Sequence, residues 1–323
     1  MKPVRVLVPA SSANLGPGFD AFGLALTLYN AVEMQEDDET HVVISGEGAA
    51  TLAKNASNLV VRAAQRLFDA AGVRLRGLRL TLHNAIPLGR GLGSSAAAIV
   101  GGLVAANELA HRPLTRSDLL KLAVQMEGHP DNVAPALLGG LVVASAGKSD
   151  LIYTQVPLLP MRVVVAIPDF ALPTRQARAI LPASVPRRDA VFNLARAALV
   201  LLALQRGDYD LLAQALDDRL HQPYRARLIP GMETVFAAAR AAGAAGVALS
   251  GAGPSLIAFA EGDHECIGEA MQRAWALRGV QARTLVLGVD REGARVESTS
   301  KMLENVITLL RLGQVLSAAK DLP

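Results

Sequence analysis

Cysteine is almost missing: Cys266 is the single one in 323 residues, so no internal disulfide can form. With it goes any Cys/His cluster at zinc-ligand spacing. Aromatic residues make up only 4% of the chain, with four Tyr and one Trp, too few to build stacking platforms for single-stranded nucleic acid. Basic charge never gathers. The net charge is +3 and no Lys/Arg run exceeds the Arg187-Arg188 pair, a scatter that argues against a nucleic-acid footprint. Apolar runs stop at about a dozen residues, 134–146 among them, broken by Gly and Pro, whereas a membrane span takes about 20. The chain opens on a strand-like Val4–Val8 rather than an apolar leader. A cytoplasmic protein without nucleic-acid or membrane partners is expected.

What is present is a generous core, 51% apolar against 19% charged, in a chain long enough for one large or two medium domains. β-Branched runs at Val4–Val8, His41–Ser45, Leu78–Leu82, Leu141–Ser145, Arg162–Ile167, Val247–Ser250, Ser255–Ala260 and Ala282–Leu287 read as strands. Helical periods occupy Leu59–Ala71, Ala96–Ala110, Asp118–Met126, Val191–Leu204, Tyr209–Leu220, Met232–Ala242 and Glu265–Leu277. Thr115-Arg-Ser-Asp118 fits a capping box. Short alternation of the two types predicts an α+β fold in both halves. A loop over 146–160 suggests a boundary, giving domains at 1–155 and 156–297. The stretch 298–323 reads as a tail with an added helix (Met302-Leu-Glu-Asn-Val-Ile-Thr-Leu-Leu) and no chemistry to assign.

The most informative run is Pro87, Leu88, Gly89, Arg90, Gly91, Leu92, Gly93, Ser94, Ser95, Ala96 and Ala97. Alternate glycines clear side chains from a backbone turn, and a helix-like apolar segment follows. Free N–H groups and the helix dipole both favour an anion there. A nucleotide phosphate is the expected one. The P-loop pattern fails, because no Gly-Lys-Ser/Thr stands in this loop. The dinucleotide fingerprint matches as Gly91-x-Gly93-x-x-Ala96, but residues 84–90 separate it from its strand and no acidic residue follows at the required distance. A plain strand-to-helix turn is the bland alternative. A third glycine-rich block, Ser250-Gly-Ala-Gly-Pro-Ser255, reads as a tight turn between strands.

With Pro9-Ala-Ser-Ser-Ala-Asn14-Leu-Gly-Pro-Gly-Phe-Asp20 ahead of them, these blocks stand in a fixed order, and the likeness they carry covers essentially residues 3 to 290. In that order the sequence resembles the GHMP kinases, named for galacto-, homoserine, mevalonate and phosphomevalonate kinases. Four blocks are most similar to the homoserine-phosphorylating branch: Ser12–Asp20, Glu127-Gly-His129-Pro-Asp-Asn132-Val-Ala-Pro135, Pro173-Thr174-x-x-Ala-Arg178 and Gln222-Pro-Tyr-Arg225-x-x-Leu-Ile-Pro230. The resemblance implies an N-terminal domain like ribosomal protein S5 domain 2 and a ferredoxin-like C-terminal domain, with the active site between. It implies ATP-dependent phosphorylation of the side-chain hydroxyl of L-homoserine, on the way to threonine. It also assigns Mg²⁺ to Ser95 and Glu127, and surrounds the substrate with Asn14, Asp20, His129, Asn132, Thr174, Arg178, Arg225 and Gly251.

The residue chemistry agrees. Phosphoryl transfer is mostly positioning and charge neutralisation; Ser95 offers a hydroxyl and Glu127 the carboxylate a hard cation wants. A zwitterion calls for both signs, which Asp20 and the forks of Arg178 and Arg225 supply. Ser95, Glu127, His129 and Asn132 are the candidate catalytic residues. Each has a bland alternative: a solvated helix-end carboxylate for Glu127, a structural histidine for His129, and a surface residue for any Arg in a chain with only six Lys. Asp131 has no matched Lys partner, and in this branch the γ-phosphate is thought to take the proton itself. The expected partners are ATP and homoserine, with a homodimer as an open alternative to a monomer. Two other functions stay open, a GHMP kinase for a sugar or isoprenoid alcohol, and a catalytically silent nucleotide-binding regulator.

Overall fold

The apolar opening becomes a longer strand than its pattern suggests. β1 (Val4–Ala13) pairs antiparallel with β2 (Phe22–Asp37), which at 16 residues is the longest strand. The computed structural model describes residues 3–147 and 150–297, so the added helix expected after residue 297 lies outside the described residues. β3 (His41–Gly46) lies parallel to β4 (Gly77–Asn84), and β4 pairs with the second half of β2. β5 (Leu141–Ala146) pairs with Phe22–Leu24 at the start of β2, and β6 (Leu151–Val156) folds back on β5. That strand occupies part of the expected 146–160 loop. Its alternating burial is weak because it is paired on one side only, which leaves little apolar signal to read.

A second, four-stranded antiparallel sheet runs β10-β7-β9-β8, from β7 (Arg162–Pro168), β8 (Gly246–Leu249), β9 (Leu256–Phe259) and β10 (Ala282–Gly288). β11 (Arg295–Val296) then returns to the first sheet beside β1. The last described residues of the 156–297 stretch therefore cross back to the first half.

Four helices pack on the first sheet or on one another: α1 (Leu59–Ala71), α2 (Ser94–Leu109), α3 (Arg116–Glu127) and α4 (Pro130–Leu138). α2 is apolar all round, and such a helix has to be buried; it lies between the sheet and α1 and α3. The expected capping box at Thr115 and Asp118 opens α3. After β7 come α5 (Thr174–Ala179), α6 (Arg187–Arg206), α7 (Tyr209–Ala215), α8 (Gln222–Arg225), α9 (Met232–Ala241) and α10 (His264–Ala276). β7, α9, β8, β9, α10 and β10 form the βαββαβ order of a ferredoxin-like unit, with α5 to α8 inserted ahead of α9. The helix expected over Tyr209–Leu220 ends at Ala215, because the Asp218 carboxylate takes the N–H groups of Leu220, His221 and Gln222 and turns the chain into α8.

Two apolar clusters fill the molecule. Leu24, Leu26, Met34, Leu67, Leu80 and Ile99 are shut from solvent in the first; Trp275, Phe236 and Met271 anchor the second. Fully burying such a side chain is worth about 1.5–3 kcal/mol. The clusters hold the two sheets as rigid walls for the loops between them.

Candidate active site

The phosphate-type loop emerges where β2, still paired with β1, has a gap between its partners on the other edge. β4 covers residues 31–37 of β2 and β5 covers 22–24, leaving Asn30 at the gap. There the Asn30 side-chain oxygen accepts from the N–H groups of Ala85 and Ile86 and fixes the loop's entry. Its exit is fixed by Ser11, whose N–H donates to Leu92 O at 3.2 Å. Between those points the second half of the chain holds it. Leu172 N–H donates to Gly89 O, Ser255 N–H to Arg90 O and Ser250 Oγ to Gly91 O. Arg90 turns its guanidinium on the carbonyls of Pro168, Asp169 and Leu88, so its side chain is held by the scaffold while the residue lines the cleft.

Gly91 and Gly93 are required by geometry. Both have φ near +70°, and a Cβ on Gly91 would fall on the Ser250 carbonyl, one on Gly93 on Ser11 Oγ. Gly93 is also the N-cap of α2 and makes no side-chain cap. Asn58 and Thr115 cap α1 and α3 with their side chains, whereas the first N–H groups of α2 remain available to an anion. On that first turn Ser95 Oγ donates to Glu127 Oε2 at 2.7 Å. Glu127 is the last residue of α3, so two helix ends bring hydroxyl and carboxylate together.

Charge of both signs gathers opposite. Arg178, on α5, forms a two-bond fork with Asp20, at 2.8 and 3.0 Å. Arg225 is 1% exposed; its Nε donates to Ala177 O and its Nη1 to Gly251 O. Burial and then the nearby Arg178 charge bring its pKa down to about 10, so it stays charged at neutral pH. Asn14 sits in the left-handed region, donates its amide to Gly251 O and accepts from Asp20 N–H, tying the first and third glycine-rich blocks together.

His129 Nδ1–H donates to the buried Asp131 carboxylate at 2.7 Å, and Asn132 donates to the same oxygen while accepting from Ser11 Oγ. Burial opposes the imidazolium charge, but the Asp131 bond and charge outweigh it and hold the His129 pKa above its ordinary 6.5. A raised folded-state pKa contributes stability in full below the unfolded value and loses it as pH rises through the folded one. The melting-temperature gap between the unmodified chain and His129→Gln is therefore expected to be widest below pH 6.5. It should shrink on going to pH 8.5, as read by thermal melts; a gap independent of pH would contradict the pairing.

One cavity of about 110 Å³ is lined by Asn14, Asp20, Pro87, Gly89 to Ser95, Glu127, His129, Asp131, Asn132, Thr174, Arg178, Arg225 and Gly251. Of the residues singled out in sequence, Leu88, Ala96 and Ala97 do not line it. Ala96 is buried in the core, while Leu88 and Ala97 line an adjoining cavity of about 380 Å³. That second cavity shares Gly89, Ser94 and Ser95 with the first and is walled by Leu52, Ser57, Leu59, Val60 and Leu82. Sequence reasoning passed these over, since scattered apolar residues around an ordinary helix start carry no motif.

The chain matches the model of the GHMP kinases N terminal domain over residues 58–140 and that of the GHMP kinases C terminal over 200–277. It is 48% identical to the homoserine kinase of Moorella thermoacetica, over 90% of this chain and 99% of that protein. Against the homoserine kinase of Carboxydothermus hydrogenoformans it is 47% identical, over 90% and 96%. The crystal structure of homoserine kinase from Cytophaga hutchinsonii superposes with a TM-score of 0.84 at 31% identity, over 92% of this chain and 98% of that one. The crystal structure of L. major mevalonate kinase shares the fold at 18% identity and a TM-score of 0.69, over 88% of this chain and 95% of that one. The chain belongs to the GHMP kinases, within their homoserine kinase branch.

Proposed function

We propose that this cleft transfers the γ-phosphoryl group of ATP to the side-chain hydroxyl of L-homoserine, giving O-phospho-L-homoserine and ADP. The observation that carries the reading is the meeting, in one cavity, of an uncapped helix start beside Ser95 and Glu127 with the Asp20, Arg178 and Arg225 cluster. In this reading the N–H groups of the α2 start and the glycine loop bind the triphosphate, and the adjoining apolar cavity takes the base. The loop and Glu127 come from 1–155, while Thr174, Arg178, Arg225 and Gly251 come from 156–297. The reaction sits between the two proposed domains.

Ser95 Oγ and Glu127 Oε2, 2.7 Å apart, are two hard oxygen donors facing an open cleft. That set suits Mg²⁺, which takes one or two protein oxygens and completes its shell with water and phosphate. Bound there, the ion would neutralise charge on the phosphate oxygens. The substrate ammonium goes to Asp20 and its carboxylate to Arg225 and Arg178, extending the existing fork into an alternation of charge. Asp131 Oδ1 already accepts from His129 and Asn132, which suits it to orienting those two groups toward the hydroxyl. A loose transition state asks for little prior activation of the nucleophile, so the γ-phosphate can take the proton late. A cytoplasmic site of action goes with this use of ATP; no described helix is long and apolar enough to cross a membrane.

The test is coupled ADP release with magnesium and ATP, comparing homoserine, mevalonate and galactose in parallel. Turnover with homoserine at least about tenfold above the other two alcohols, neither of which carries an ammonium group, is expected. Equal rates on all three, or none, would overturn the proposal.

A further inference from the structure

One residue ahead of the Gln222-to-Pro230 block lies a side chain that the function has not absorbed. His221 is fully buried and occupies the N-cap position of α8 without a side-chain capping bond; the last residue of α8 is Arg225. Its Nε2–H donates to Gly16 O at 2.8 Å, and its Nδ1 accepts from Arg225 Nη1 at 3.1 Å. The ring stacks on Phe19, with centroids 5.0 Å apart and planes 20° apart, and the Arg225 guanidinium lies over the same Phe19 ring. Asn193, itself held by Asp218, donates to Pro17 O one residue further along. The turn from Gly16 to Asp20 is thus gripped from the second half of the chain, and it carries the carboxylate that pairs with Arg178.

We infer that His221 is a positioning residue that locks the two charged ends of the amino-acid subsite into one geometry. Its acceptor nitrogen sets the Arg225 guanidinium, and its donor nitrogen sets the turn that presents Asp20. The inference rests on the assignment of Arg225 and Asp20 to the substrate carboxylate and ammonium. The double contact requires one tautomer, neutral with the proton on Nε2, because a proton on Nδ1 would face the Arg225 N–H. Three charges face the ring: Asp218 on the preceding turn, Arg225 on α8 and Asp20 on the gripped turn. Burial dominates among the influences and favours the neutral form, Asp218 opposes it, and Arg225 adds to it. A neutral hinge between an anion and a cation transmits their spacing without adding a charge that would compete for the substrate.

The experiment compares His221→Phe, which keeps the ring and its stack but loses both hydrogen bonds, with His221→Asn, whose amide oxygen can still accept from Arg225. The readouts are the KM values for homoserine and ATP, and the preference for homoserine over 3-aminopropan-1-ol, the same amino alcohol without the carboxylate. For the Phe variant the KM for homoserine should rise at least about tenfold with that for ATP within about twofold. The preference for homoserine should fall by a similar factor, and the Asn variant should recover at least about threefold of the loss. Unchanged preference, or equal rises in both KM values, would mean a merely structural histidine and overturn the inference. Should the Phe variant not fold, ¹⁵N spectra of the unmodified protein at pH 6 to 8 decide it, a neutral Nε2–H ring supporting the inference and a protonated ring sinking it. If the unmodified protein leaves homoserine untouched while binding ATP, the functional reading fails first, and that outcome is distinct from active enzyme with an indifferent His221.

Discussion

Glu127→Gln is expected to lower kcat with homoserine about 10²–10³-fold while the melting temperature stays within a few degrees. The residue is half-buried at the end of α3 and, among the described residues, accepts one side-chain hydrogen bond, from Ser95 Oγ, so the fold loses little. Gln can still accept that bond through its amide oxygen, which makes the change one of charge rather than of shape. On the proposed assignment the carboxylate helps hold the cation that neutralises the phosphate oxygens, and a cation held that way is worth several kcal/mol in the transition state. A factor of 10²–10³ corresponds to about 3–4 kcal/mol at about 1.4 kcal/mol per decade. Raising magnesium should recover part of the loss, since weaker ligation is offset by mass action. Ser95→Ala should fall in the same direction and less far, because a neutral hydroxyl contributes less than a carboxylate. Steady-state rates at several magnesium concentrations check this; a Glu127→Gln enzyme with an unaltered kcat would remove the residue from the metal site.

Much of this site was readable because its chemistry is written locally. Gly89, Gly91 and Gly93 followed by Ser94 and Ser95 announce a turn with free N–H groups, and the structure gives that turn its positive φ angles and its uncapped helix. The fold class was readable for a similar reason, since strand and helix alternate at spacings that only a mixed architecture satisfies. β2 was not. Residues 22–26 are buried without a break, so the alternation that marks a half-exposed strand disappears in the middle of the sheet. Long-range pairing was invisible too. Asp20 and Arg178 stand 158 positions apart and find each other only because the first turn and α5 face one cleft. Composition also says nothing about which polar groups the scaffold consumes. Arg90 and Asn14 both read as ligand contacts, yet the Arg90 guanidinium grips three carbonyls and the Asn14 amide bridges two backbone groups. Both residues nonetheless line the cleft.

Arg225→Ala should raise the KM for homoserine at least about tenfold and leave the KM for ATP nearly unchanged. A charge-assisted contact to a carboxylate is worth about 1.5–3 kcal/mol, which converts to about 10–150-fold. Arg225 differs from Glu127 in being buried, with Ala177 O, Gly251 O and His221 Nδ1 as its partners. Truncation leaves three acceptors facing a hole, so the alanine variant should also melt at a lower temperature, and its kinetics must be measured where it is folded. Arg225→Lys separates the two effects. A lysine keeps the charge and part of the volume but cannot present a planar fork. Stability should therefore return further than substrate affinity, and the KM for homoserine should stay raised by several-fold. Removing the carboxylate from the substrate supplies the matching half of the comparison. With 3-aminopropan-1-ol the unmodified enzyme and the Arg225→Lys variant should differ little, because the group that the fork recognises is gone. If the variant lost as much activity on that alcohol as on homoserine, Arg225 would be supporting the cleft alone, and the carboxylate would have to be bound by Arg178.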